Sequence, residues 1–264
     1  MERAFNLASK AVKLRLAEQK PEMATALELK ETDVTVIPGV HDHVQNIVDR
    51  LGIKYSSDVR IDSRVVFINC GASLSGAALK VLKKHIENGA TVVTSDWALT
   101  NVVSMFPNLI ERAPKSTGDE VVAVEGRSDS LWAEIAVPGA EPQWWLESAS
   151  YTVKILDREK VKVEAASHEM LSRFEAPVVA FSFQHGKGSV FHVVSHFWHK
   201  RNIAPNKLHQ AAGAKFLELG MRLSKPAFDQ LAAEASQMNF SELQSACTAT
   251  ELIAQLIARQ RLNS

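Results

Sequence analysis

The period of the apolar positions changes twice along this chain. Over residues 1–30 it is helical: Phe5, Val12 and Leu16 fall on one face, with Lys10, Lys13 and Arg15 around it, and Pro21 breaks or restarts the helix. Short β-branched runs then alternate with amphipathic helices. Residues 33–37, 64–69 and 91–95 read as strands, largely apolar as strands covered on both faces are. Between the first two runs, Val44, Ile47, Val48 and Leu51 make a helix face that Gly52 ends, with Asp42 and Gln45 as its expected capping box. Ala78, Leu79, Leu82 and Ile86 make the next helix, and Asp96 is placed to cap a third that Pro107 stops. Strand, helix and strand at this spacing predict a flavodoxin-like parallel sheet with helices on both faces.

From about residue 117 to 165 the period becomes two. Residues 120–124, 131–137 and 151–155 read as antiparallel strands of a β-rich insertion, which Trp132, Trp144 and Trp145 pack onto the core. Residues 177–183 and 189–195 read as a hairpin returning to the sheet. After Pro205 the chain is helical, with Ser241 and Gln244 as an expected capping box. Leu243, Cys247, Thr250, Ile253 and Ile257 recur at heptad-like spacing. The core already has helices for both faces, so this stripe is expected to be exposed as an association surface, with Glu242, Glu251, Gln255 and Arg259 in water. The expected organisation is an N-terminal arm (1–30), an α/β domain (31–204) and a C-terminal helical extension (205–264).

Charge adds no direction. Lys plus Arg and Asp plus Glu number 30 each, so no global field draws the chain to nucleic acid or to an anionic membrane. The two cysteines, Cys70 and Cys247, exclude a disulfide framework and a zinc-type cysteine pair. Without a signal-peptide pattern or an apolar run of membrane-spanning length, a cytoplasmic location is the expectation.

In open parallel sheets ligands bind outside the carboxyl ends of the strands. That rule selects Gly39, His41 and His43 after the first strand, Asn69, Cys70 and Gly71 after the second, and Ser95, Asp96 and Trp97 after the third. His196 follows the last strand, with His199 close behind. Cys70, Asp96 and His196 are the candidate catalytic groups. Gly39, His41, Asn69, Gly71, Ser95, Trp97 and His199 are candidate ligand contacts. The plainer readings weigh more at this stage: Cys70 as a small buried side chain, Asp96 as a helix cap, the histidines as hydrogen-bonded structural residues. No metal-ligand signature or cofactor motif is present in these spacings.

Residues 33–202 resemble the class I glutamine amidotransferase-like superfamily, especially its divergent ThuA-like members. The likeness is carried by Val36-Ile37-Pro38-Gly39, by the helix-and-strand unit at residues 82–93, and by residues 186–196, which end on His196. The resemblance implies a nucleophilic cysteine on a tight turn after a core strand, and a histidine with an acid two residues on. Here the turn falls at Thr94-Ser95-Asp96-Trp97 without a cysteine, and Trp198 stands where the acid would be. Glutamine hydrolysis is therefore not expected. The sequence favours a non-catalytic binding or assembly module, joined to a protein partner or a second copy through its terminal helices. The alternative is a hydrolase or small-molecule enzyme using the Cys/Asp/His cluster, and geometry discriminates between them.

Overall fold

The computed structural model of the chain describes residues 1–59 and 63–263. Two helices open it, α1 (Glu2–Gln19) and α2 (Pro21–Leu27), with Pro21 at the first turn of the second. Strand β1 (Val34–Ile37) leads to helix α3 (Val44–Leu51), which ends on Gly52 at a left-handed φ of 72°. A two-residue edge strand, β2 (Tyr55–Ser56), precedes β3 (Val65–Ile68) and helix α4 (Gly76–Glu87). Strand β4 (Thr91–Ser95) runs through a single 3₁₀ turn at Asp96–Ala98 into α5 (Leu99–Met105). Every residue of β3 and β4 is buried, as their apolar character requires.

The insertion holds more strands than the alternation predicts: β5 (Ile110–Ser116), β6 (Glu120–Ala123), β7 (Glu125–Gly126), β8 (Gln143–Leu146), β9 (Tyr151–Ile155) and β10 (Lys162–Ala166). The strand expected over residues 131–137 is instead a 3₁₀ turn, Leu131–Ile135, and buries Trp132 against Trp144 and Phe191. Helix α6 (His168–Phe174) leads to the expected hairpin, β11 (Val178–His185) and β12 (Gly188–Val193).

The central sheet has the order β2-β1-β3-β4-β12-β11-β10-β7. Its first five strands are parallel, in the flavodoxin order, and the last three are antiparallel additions. The chain moves outward from β1 and then back across it, so right-handed crossovers put α3 on one face and α4 on the other. Helices α7 (Ala214–Leu219), α8 (Lys225–Ala235) and α9 (Phe240–Leu262) complete the fold. Among the described residues no helix is long and apolar enough to cross a membrane.

Two expectations about the terminal helices are corrected. The heptad-like stripe of α9 is not exposed: Leu243, Cys247, Ile253 and Ile257 are fully buried, against α1, α2 and the sheet. Glu251 and Gln255, expected in water, are buried as well. Glu251 pairs with Arg15 of α1, and Gln255 donates to Glu134 of the insertion over 2.6 Å. The cap of α9 lies earlier than expected, at Asn239, which exchanges hydrogen bonds with Glu242 in a capping box. Arg261, near the end of α9, donates to both carboxylate oxygens of Asp33 at 2.6–3.2 Å and to the carbonyl of Ala26. Helices α2 and α9 are thereby tied to the start of β1.

Candidate functional site at the carboxyl edge

Four strand ends meet at this edge, those of β1, β3, β4 and β12. Gly39 lets the loop after β1 lie on the loop after β3, because a Cβ there would stand 2.1 Å from the Cys70 carbonyl oxygen. That carbonyl accepts from the amides of Val40 and His41. The Cys70 amide donates to Ser95 Oγ at 3.0 Å, joining the ends of β3 and β4. Asp42 does not cap α3, whose N-cap position is His43. Its carboxylate accepts instead from the amides of His43, Phe197 and Trp198, which ties the first loop to the one after β12.

Asp96 is the turning residue between β4 and the next helix, and its φ of 45° is left-handed, a conformation uncommon outside glycine that aspartate and asparagine enter more readily than other residues. It caps nothing. Its carboxylate turns inward, where Oδ1 accepts from the Tyr151 amide at 2.8 Å and Oδ2 from Ser150 Oγ at 3.0 Å. Oδ2 also lies 3.6 Å from Cys70 Sγ and 3.6 Å from His196 Nε2. Cys70, Asp96 and His196 are 1%, 3% and 1% exposed. Burial raises the Asp96 pKa, opposed by the Tyr151 amide, the His196 charge and the Ser150 hydroxyl. Burial and then the Asp96 charge push the Cys70 thiol far up, the reverse of what a thiolate nucleophile needs.

The fourth member was not legible in the sequence. Glu147 follows β8 in the insertion, and its Oε2 is 2.7 Å from His196 Nδ1. The two atoms are close without the alignment of a hydrogen bond, since neither they nor His196 Nε2 have such a partner among the described residues. The Glu147 amide donates to Ser195 Oγ at 2.9 Å, which fixes the insertion beside His196. Ser195 is itself left-handed, at φ 62°. Trp198, where the resemblance places an acid, stacks on Phe5 of α1 at 4.2 Å, so that position docks the first helix.

The remaining candidates divide. Ser95 lies behind the cluster, and Asn69 is buried beside it, donating to Gln45 Oε1 at 2.9 Å. Gly71 is exposed at a left-handed turn. His41 and Trp97 form a half-buried rim, edge to face at 5.1 Å, with Trp97 stacked on Tyr151 at 5.7 Å. His199 lies edge-on to Trp144 at 4.2 Å and within electrostatic reach of His196 and Asp42, its pKa lowered to about 3 by burial. A cavity of about 970 Å³ lies at the opposite, amino end of the sheet, lined by Asp33, Thr91, Lys187 and Ser189 among others. Thr91 there is already bonded to Ser189 and Gln260. The unpartnered imidazole nitrogens between carboxylates single out the carboxyl edge.

No family model matches the chain, and no curated protein does. Solved structures of similar arrangement include a glutamine amidotransferase from Thermotoga maritima, 11% identical with a TM-score of 0.46 over 86% of this chain and 97% of that one. A ThuA-like protein from Bacteroides uniformis is 11% identical with a TM-score of 0.46 over 61% of this chain and 82% of that one. A β-galactosidase from Rahnella sp. R3 is 12% identical with a TM-score of 0.43 over 62% of this chain, which spans only 29% of the enzyme's length. Identities this low concern arrangement alone and carry nothing about chemistry.

Proposed function

We propose that the chain is an enzyme of hydrolytic type acting on a small molecule at the carboxyl edge of its sheet. His196 carries the proton, and Asp96 and Glu147 bracket it. The observation that supports this reading is the buried imidazole, 3.6 Å from one carboxylate and 2.7 Å from the other, with neither nitrogen hydrogen-bonded among the described residues. His199 is also buried with both ring nitrogens unbonded among the described residues, so what sets His196 apart is its place between two carboxylates. An imidazole left free between two acids can take a proton from water or a substrate hydroxyl and hold it there. The left-handed Asp96 adds weight, because backbone strain concentrates at working sites. Glu147 is the member that reaches solvent, with its side chain 30% exposed, and the rim of His41, Trp97 and Tyr151 offers aromatic faces beside it.

The test is turnover of ester, amide and phosphoester model substrates by the wild type and by His196→Gln. Loss of a general acid–base group is expected to slow the reaction by roughly 10²–10⁴-fold. Glutamine is expected to release no ammonia, because the turn carries Asp96 and the Cys70 thiol is held protonated. Equal turnover in the variant would contradict the proposal.

A second reading, a non-catalytic binding or assembly module, is favoured by one observation: the cluster is nearly sealed, with Cys70 and His196 each 1% exposed. It predicts no turnover on any of these substrates. A partner would then have to use surface other than the α9 stripe, which the chain covers itself.

A further inference from the structure

We infer that Cys70, Asp96 and His196 form a binding site for a divalent transition-metal cation of zinc type, with Glu147 as a positioning residue behind the histidine. The inference deepens the hydrolytic reading above and rests on it for its purpose, with His196 then serving as a ligand through Nε2 in place of carrying the proton itself: the cation would activate the water that a hydrolytic enzyme needs.

Three observations carry it. The first is the donor set, since thiolate, imidazole and carboxylate together suit zinc and exclude magnesium and calcium, which take oxygen ligands. The second is spacing. Tetrahedral zinc, with bonds of about 2.0–2.3 Å, sets its donor atoms roughly 3.3–3.6 Å apart. Cys70 Sγ to Asp96 Oδ2 and Asp96 Oδ2 to His196 Nε2 are both 3.6 Å. All three donor atoms lie within 4.8 Å of one another, so the remaining edge must close by no more than about 1.3 Å. The third is the surrounding shell. A metal-bound histidine commonly presents its other nitrogen to a carboxylate, and His196 Nδ1 is 2.7 Å from Glu147 Oε2. The Tyr151 amide and the Ser150 hydroxyl hold the Asp96 carboxylate with Oδ2 turned toward the other donors. The buried His196 Nε2 points into this space and has no hydrogen-bond partner among the described residues.

The donors sit at the ends of β3, β4 and β12, three neighbouring strands, so the sheet fixes their separation. Cys70 binds as thiolate, and its proton leaves to solvent. Three protein ligands leave a fourth position for water or substrate, the arrangement of a catalytic rather than a structural zinc site.

The experiment loads the chelator-treated full chain with Zn²⁺ or Co²⁺. The expected result is one cation per chain, with a thiolate-to-cobalt charge-transfer band that Cys70→Ser abolishes. Glu147→Gln is expected to weaken affinity about 10–100-fold while leaving that band in place at saturation. Failure of the folded wild type to bind either cation stoichiometrically would overturn the inference, as would an unchanged cobalt spectrum in Cys70→Ser. Should that variant not fold, X-ray absorption at the zinc edge of the wild type decides. One sulfur neighbour supports the site, and a shell of nitrogen and oxygen alone overturns it. Stoichiometric binding without hydrolytic turnover would keep this inference and reject the catalytic reading. Turnover without any bound metal would do the opposite.

Discussion

His192 lies within β12 and His196 three residues beyond its end, and their surroundings differ. His192 lies inside β12, wholly buried, with Nδ1 2.8 Å from Thr94 Oγ1. Burial lowers its pKa to about 3, so it stays neutral in the fold. Unfolded, it takes up a proton below about pH 6.5. The unfolded chain therefore binds the extra proton between these values, and this contribution to stability is complete above pH 6.5 and lost as the pH falls toward 3. His192→Gln, which keeps a partner for Thr94, is expected to flatten the acid limb of stability by about 1.4 kcal/mol per pH unit in that window. Urea unfolding at a series of pH values reads the slope, and an unchanged slope would show that His192 does not set it. At this scale the strand-edge rule found Cys70, Asp96 and His196 from residue order alone. It misassigned Asp96 as a cap, because an aspartate before an apolar run has that pattern whichever way its carboxylate turns. Glu147 carried no signal: its place beside His196 depends on the tertiary bond from its amide to Ser195.

At the scale of elements, period and composition made the parallel half legible. Strands β1, β3 and β4 are short, continuous and rich in β-branched residues, and they lie adjacent and parallel as expected. The insertion was less legible for a local reason. Consecutive buried residues in β8, Gln143 to Leu146, hide the alternation that marks a strand. Helix α9 misled in another way. Its polar residues are buried and paired, so a wet face could not be separated from a dry one: 18 of its 23 residues are buried. Leu243, Leu252, Ile253 and Ile257 each stabilise the fold by roughly 1.5–3 kcal/mol through burial. Truncation after Leu223 removes α8 and α9, strands Arg15 without Glu251 and leaves Asp33 without Arg261. The fragment is expected to lose cooperative unfolding, followed by circular dichroism in urea. A fragment that still unfolds in one sharp transition would contradict the role given to α9.

Across the whole molecule, the two ends of the sheet differ. At the amino end, polar groups are paired with one another: Thr91 with Ser189 and Gln260, and Arg261 with Asp33. At the carboxyl edge the fold retains a left-handed aspartate, a buried carboxylate with a raised pKa and an imidazole without hydrogen bonds among the described residues. Each of these costs stability, which the proposed function accounts for as the cost of a working site. An acid whose folded pKa is raised destabilises the fold at neutral pH, where it must be charged in a poor environment. Asparagine in its place carries no charge, tolerates left-handed backbone and can still accept from the Tyr151 amide. The most direct test is the thermal midpoint of chelator-treated Asp96→Asn against the wild type at neutral pH. A cluster kept for chemistry predicts an equal or higher midpoint, with each kcal/mol gained worth about 2–4 °C. A fall of more than that would mean that Asp96 holds the fold together, and would contradict the carboxyl edge as the working site.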